Sequence, residues 1–307
     1  MKKISIIGSN SFVAGYLINA LVGGSYRVRL YGQTSPLVLA KGFEFEMFRL
    51  PLFPLNFESL LEEDFIIVTA AAGAQVGGQY NANEIFEINA FFPIKLLNFL
   101  NLHPNFKGAV VTFGSYFEIG TNQIMHPFTE EEVIMAKGDV PNDYCNSKRL
   151  LSRFISNKQL LVRHYHLFVT NIYGKNENEN RLIPYLLHTI KNNKPVKLTS
   201  GLQWRQYLHV EDLVGVLCDI IDNDYPNGFY NFSKPEPLQI RDIIKYVFYV
   251  LDKKISDDMF GQTSRTDELM KVLLLNDTKM KATFKYQPKI DIKVGILKYF
   301  DNIKETN

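Results

Sequence analysis

The sequence predicts an α/β protein, a doubly wound parallel sheet flanked by helices and followed by a smaller mixed α/β part. Three observations predict it. Short β-rich apolar runs alternate with longer amphipathic stretches through residues 1–170, which is the pattern of a parallel sheet covered by helices. The first run passes into a helical stretch through the glycine-led turn "IIGSNSFVAG". And 307 residues, 46% hydrophobic and 21% charged, can bury the core of one large or two medium domains.

In chain order, strands are predicted at 3–7, 26–31, 45–49, 65–70, 108–113 and 160–169, with helices at 12–21, 57–62, 81–100 and 143–156. The last of these helices starts where Asn142 and Asp143 offer N-cap side chains, and "YCNSKRLLSRFIS" repeats apolar residues at helical spacing. After Gly174 the character changes. "KNENEN" reads as a polar loop, "RLIPYLLHTIKNN" as a helix and "PVKLTS" as a short strand. "HVEDLVGVLCDII" reads as a helix starting near His209, with acidic residues in its first turn as the macrodipole favours. Helical segments at 239–251 and 266–274 and the closing "IKVGILKYF" complete the chain. The predicted division is a sheet domain of 1–172 with about 207–232, and a smaller part of 173–206 with 233–307.

Charge and cysteine usage exclude several classes. Lys and Arg number 34 against 32 Asp and Glu, a formal charge of +2 with no basic block, so nucleic acid is not an expected partner. The two cysteines, Cys145 and Cys218, lie far apart in helix-like segments, which suggests neither a disulfide framework nor a thiolate metal site. None of the six histidines has metal-site spacing, so no metal is expected. The opening "MKKISIIGSNSF" carries too short an apolar run for a signal peptide or a membrane span, and a cytoplasmic location without a membrane partner is expected.

Strand-end loops are where such a sheet places its chemistry. The loop after the first strand starts at Gly8 and continues through Asn10, Ser11, Phe12 and Val13. Its second and third motif positions are Ser11 and Ala14, small but not glycine, and it is a candidate cradle for a dinucleotide's pyrophosphate at a helix N-terminus. Gln33, Thr34 and Ser35 follow the second strand, where an acidic residue would hold the ribose of NAD(H) and repel a 2′-phosphate. Their lack of a carboxylate favours NADP(H) and leaves NAD(H) possible. Tyr144 and Lys148 stand four apart, on one face of their helix.

These residues carry a resemblance. The chain resembles an extended short-chain dehydrogenase/reductase, the branch of nucleotide-sugar epimerases, dehydratases and ketoreductases, nearly end to end. Matching stretches are the Gly8 loop, "DFIIVTAAA" with Ala70 and Ala71, "FEINAFFPIKLL" with Asn89, and "VTFGSYFEIG" with Ser115. Further on come Tyr144 with Lys148, "TNIYG" with Asn171, "GLQWRQYLHVEDLV" with Arg205, and "GFYNFS". The resemblance implies a Rossmann-type sheet with a substrate part, with Gly8, Asn10, Ser11, Phe12, Val13, Gln33, Thr34, Ser35, Ala70, Ala71, Asn89, Tyr144 and Lys148 around the cofactor. It gives Tyr144 the part of proton donor and Ser115 that of holding the reacting oxygen. An ammonium about 4 Å away contributes roughly 4 kcal/mol at an effective dielectric near 20, so Lys148 is expected to lower the phenol by about three pKa units. Ser115, Tyr116, Asn171, Arg181, Lys197 and Arg205 are the expected substrate contacts, the arginine fork at 205 matching a pyrophosphate.

The residues after Ser115 narrow the reaction. Relatives that dehydrate at carbons 4 and 6 carry an Asp-Glu pair there, and the fucose-synthase type carries a cysteine two positions on; this chain has Tyr116 and Phe117. The expected activity is therefore NADPH-dependent reduction of the 4-keto group of a nucleotide-linked 4-keto-6-deoxy sugar. An NAD-dependent nucleotide-sugar 4-epimerase is the alternative, and a non-catalytic NAD(P)-binding sensor or scaffold comes third. A homodimer is expected from the resemblance, paired through the helices that hold Asn89 and Tyr144.

Overall fold

The computed structural model describes residues 1–74, 80–234, 236–264 and 269–305. Strand β1 (Lys2–Ile7) leads into helix α1 (Phe12–Leu21), then β2 (Tyr26–Gly32), β3 (Phe43–Met47) and β4 (Phe65–Val68). Helix α2 (Ala82–Phe86) continues through a π turn at Glu87–Phe91 into α3 (Phe92–Asn101), and β5 (Ala109–Ser115) follows. Then come α4 (Glu130–Met135), α5 (Asp143–Asn157), β6 (Arg163–Val169), β7 (Asn171–Tyr173) and α6 (Leu182–Lys191). The remainder runs β8 (Trp204–Arg205), β9 (Tyr207–His209), α7 (Val210–Asp222), β10 (Gly228–Phe232), β11 (Leu238–Gln239), α8 (Ile240–Val250), α9 (Thr278–Thr283) and α10 (Ile292–Glu305).

Seven strands form one parallel sheet in the order β3-β2-β1-β4-β5-β6-β10. The order reverses between β1 and β4, so a crevice opens at their C-terminal ends, a position such sheets use for ligands. This is the Rossmann-type α/β fold that the alternation of apolar runs predicts. Because strand side chains alternate, each strand serves two cores. Ile4, Ile6, Val28 and Leu30 pack under α1 and α7, with Leu17, Leu213 and Leu217. Ile7, Tyr31, Ile66 and Val110 pack under α3 and α5, with Leu96, Leu100 and Leu151. Each such fully buried Leu or Ile contributes about 1.5–3 kcal/mol. A separate core joins α6, α8 and α10 through Leu186, Val247 and Ile296.

Several predicted elements differ. The strand predicted over 160–169 begins only at Arg163, because Leu161 instead gives its N–H to the side chain of Asn101 at the end of α3, at 2.6 Å. The helix predicted at 57–62 is a single 3-10 turn, Phe57–Leu60, capped by Asn56. "PVKLTS" takes no regular secondary structure and joins no ladder among the described residues. Residues 266–268 lie outside the described residues, and 269–274 is not helical. Met270, Val272, Leu273 and Leu274 are all buried and pass alongside Trp204, whose N–H bonds Lys271 O at 2.8 Å. A run apolar on every side satisfies burial without helical period, which is why its composition misled. "GFYNFS" supplies the seventh strand, β10.

Candidate active site

The site is assembled at the C-terminal ends of β1, β4 and β5. Gly8 ends β1 at φ +96°, and a Cβ there would stand 2.3 Å from the Ala70 backbone N. Only glycine allows that turn to pass so close to β4's end. Gly8 and Ser9 give their N–H groups to Tyr31 O at 2.8 and 2.9 Å, while the Ser11 hydroxyl caps α1 by accepting from Ala14 N at 3.2 Å. Phe12 and Val13 then open the helix, where the first amides have no partner within it. Asn10 ties this turn to the end of β2. Its Oδ1 accepts from Gln33 N and Thr34 N at 2.7 and 3.1 Å, and its Nδ2 donates to Thr34 O at 2.8 Å. Gln33, Thr34 and Ser35 are exposed beside it.

Asn89 lies buried in the π turn. Its Oδ1 accepts from Ala72 N, and its Nδ2 donates to Ala72 O and to the Ser147 hydroxyl, at 2.8, 2.8 and 3.0 Å. Its amide is thereby engaged within the protein, joining the loop after Ala70 and Ala71 to α5.

Ser115 ends β5 and caps a 3-10 turn at Tyr116–Ile119. Its Oγ accepts from Phe117 N at 3.2 Å, and its own N–H donates to Glu118 Oε1 at 2.7 Å. Helix α5 starts on the Asn142 side chain, which accepts from Cys145 N, and so brings the half-buried Tyr144 and the buried Lys148 to the same place. Lys148 Nζ lies 5.9 Å from the centre of the Tyr144 ring and donates to Phe113 O at 2.8 Å.

The electrostatics differ from the expected tuning. Burial raises the Tyr144 phenol above its ordinary pKa, the Cys145 and Glu118 charges add to this, and Arg181 and the Ser115 hydroxyl oppose it without prevailing. Burial also pushes Lys148 down to about 8, against the pull of Glu118. A lysine whose ammonium is desolvated and bound to a carbonyl does not lower its neighbour as a free cation would. The phenol is therefore held protonated. Glu118, fully buried, is itself pushed up to about 7 by desolvation, with the Ser152 hydroxyl, the Ser115 N–H and Lys148 holding it back.

Next to these residues lies a cavity of about 560 Å³ lined by Phe117, Asn171, Arg181, Lys197, Arg205 and Tyr207 among others. Arg205 is only 2% exposed and donates to Trp204 O at 2.9 Å. Arg181 Nε bonds Glu177 Oε1 at 3.1 Å, and its Nη2 lies 3.4 Å from Asn171 Oδ1. Tyr116 is not a lining residue. It is fully buried, edge-on to Phe117 and packed with Ile119, Val133 and Phe168, so Phe117 faces the cavity in its place. In a 3-10 turn adjacent side chains diverge by about a third of a circle, and only one of the two can point outward. Sequence reasoning also missed Glu118, Glu177 and Tyr207. The S-x-x-E spacing of a capping box marks Glu118, whereas nothing in "KNENEN" distinguishes Glu177.

With this geometry in place, comparison with known proteins is informative. The model of the NAD dependent epimerase/dehydratase family matches residues 4–232. The chain belongs to this family. A CDP-abequose synthase of Salmonella muenchen is 22% identical over 286 residues, covering 88% of this chain and 87% of that protein. A UDP-glucuronic acid 4-epimerase from Bacillus cereus, solved with UDP-glucuronic acid and NAD, has a TM-score of 0.83 at 17% identity, covering 99% of this chain and 100% of the other. The Bordetella bronchiseptica enzyme WbmG, solved with NAD and UDP, has a TM-score of 0.79 at 15% identity, covering 98% and 94%. At such identities the structural likeness shows the shared fold.

The family's nicotinamide dinucleotide fits the residues present. The Gly8 turn carries the chain close past Ala70 into the N-terminus of α1, whose first amides have no partner within the helix and suit an anion, and Asn10 organises the loop of Gln33 and Thr34 beside it. No helix among the described residues is long and apolar enough to cross a membrane.

Proposed function

We propose that the chain reduces the 4-keto group of a nucleotide-linked 4-keto-6-deoxy sugar with NADPH, Tyr144 giving the proton. The observation that carries this reading is the meeting of Ser115, Tyr144 and Lys148 beside a cavity that also holds Arg181 and Arg205. When bound, the nicotinamide supplies hydride chemistry at the carbon bearing the reacting oxygen. Ser115 Oγ holds that oxygen near the phenol. Tyr144, kept protonated by burial, is suited to give a proton rather than to take one. Lys148, still charged at neutral pH, steadies the phenolate left behind. Arg205, Arg181 and Asn171, which line the cavity, would meet the diphosphate, and Lys197 stands at the exposed rim. Asn89 acts on the cofactor loop indirectly, through Ala72.

NADPH is favoured because Gly32, Gln33, Thr34 and Ser35 offer no carboxylate to repel a 2′-phosphate. Relatives named for making CDP-abequose support a nucleotide-sugar substrate. The competing reading, an NAD-dependent 4-epimerase, draws on the family's own description. The assay separates them. A 4-keto-6-deoxy nucleotide sugar should oxidise NADPH stoichiometrically, and Tyr144→Phe should lower kcat by about 10²–10⁴ with cofactor affinity little changed. Interconversion of two hexose nucleotides without net change in cofactor would establish the epimerase instead, and undiminished turnover by Tyr144→Phe would remove the proton donor.

A further inference from the structure

Glu177 stands in an unusual position for a carboxylate. It lines the same cavity as Arg181, its side chain is 8% exposed, and it bonds the guanidinium at 3.1 Å through Oε1. Its other oxygen, Oε2, is buried with no hydrogen-bond partner. Arg181 is 34% exposed, so its fork reaches the cavity while its Nε is held from behind. A negative charge next to the phosphate-binding cations of an anion site works against the ligand unless it can be neutralised.

We infer that Glu177 is an internal counter-anion for Arg181, and that a nucleotide diphosphate takes over the guanidinium and leaves the carboxylate to bind a proton from solvent. The inference rests on the reading of the cavity as a nucleotide-sugar site. It makes substrate binding a proton-coupled event controlled by a loop residue outside the Ser115, Tyr144 and Lys148 constellation.

The surroundings make Glu177 the group that titrates. Tyr16 of α1, Tyr173 of β7, Tyr207 of β9 and Tyr299 of α10 all feel its charge, and burial raises all four phenols. Arg205 acts on Tyr207, Glu211 on Tyr16 and Tyr173, and Glu179 on Tyr299. His209, edge-on to Tyr173, is lowered by burial and is neutral above pH 7. Burial is the largest single influence on Arg181 and lowers it, but the Glu177 charge and hydrogen bond, with Tyr207 and Tyr116, together outweigh this and it stays cationic. Burial lifts Glu177 to about 7, with Arg181, and to a lesser degree the Gly174 backbone, holding it back from rising further. Transfer of Arg181 to a phosphate removes that restraint, and the phosphate charge adds to the rise. Protons are therefore taken up on binding above about pH 7, and affinity falls with rising pH by up to about tenfold per unit.

UDP-glucose and CDP-glucose are suitable probes, because a diphosphate diester carries no group of its own that titrates near neutrality. Calorimetric titration of the full chain at pH 7.5, in buffers of different ionisation enthalpy, should show uptake of about a third to three quarters of a proton per bound nucleotide. Glu177→Gln should abolish the uptake and bind about tenfold tighter than the native chain at pH 8.5. Arg181→Gln should bind about tenfold more weakly, also without uptake, since the lone buried carboxyl is then protonated beforehand. Binding by the native chain with no uptake, or uptake that persists in Glu177→Gln, would overturn the counter-anion role and leave the nucleotide-sugar site standing. Failure of both probes to bind at any pH would overturn the two together.

Discussion

Glu118 accepts the Ser115 N–H at 2.7 Å with no exposure to solvent, and Arg149 holds the same turn through the Glu118 and Ile119 carbonyls. Its raised pKa makes a stability prediction with a definite sign. A carboxyl at about 7 in the folded chain, against about 4.3 unfolded, binds its proton more tightly when folded, so stability falls as pH rises from about 4.5 to 7. Glu118→Gln keeps an acceptor for Ser115 and removes the titration. It should gain about 1–3 kcal/mol at pH 8 and little at pH 4.5, read as a rise of several degrees in melting temperature at the higher pH only. Destabilisation at pH 8 with none at pH 4.5 would show the anion to be needed for folding, against the expected sign. The Tyr144 and Lys148 spacing is visible in the sequence because it is local. The direction of the phenol's shift is not, because burial depends on what α5 packs against.

At the level of elements, the long helix predicted at 81–100 is present, but a π turn interrupts it, and Asn89 occupies that turn. The wider turn buries a polar side chain that joins Ala72 of the loop after β4 to Ser147 of α5. Asn89→Ala would leave the Ala72 amide and carbonyl buried and unpaired. A loss of about 2–4 kcal/mol is expected, checked by the urea midpoint, together with weaker cofactor binding. An unchanged midpoint would mean that water replaces the amide. A second buried seam joins β5, β6 and α5: Thr112 bonds His164 and His166 at 2.8 and 2.7 Å, and His166 bonds Ser152 at 2.9 Å. Burial drives His164 down to about 3 and His166 well below its ordinary value, so both are neutral structural groups. The strand predicted over 160–169 already puts 164 and 166 on one face, but their shared partner on the neighbouring strand is not local information.

For the whole molecule, the expected dimer assigns a surface to α3 and α5, and Phe91 and Leu150 are exposed large apolar residues at or on these helices. Light scattering after gel filtration should give twice the 35.3 kDa chain mass, and a monomer at micromolar concentration would reject the pairing. The sequence by itself determined the sheet, the Gly8 turn, the α5 cap and the register of Tyr144 with Lys148, because turns, caps and hydrophobic period are written in near neighbours. The strand status of "GFYNFS" and the non-helical course of 269–274 were decided by tertiary structure, since each depends on a partner far along the chain. So were Phe117 facing the cavity where Tyr116 was expected, and the pairing of Glu177 with Arg181 inside it. Burial and charge in a folded interior come from segments brought together across the chain, and no local pattern carries that information.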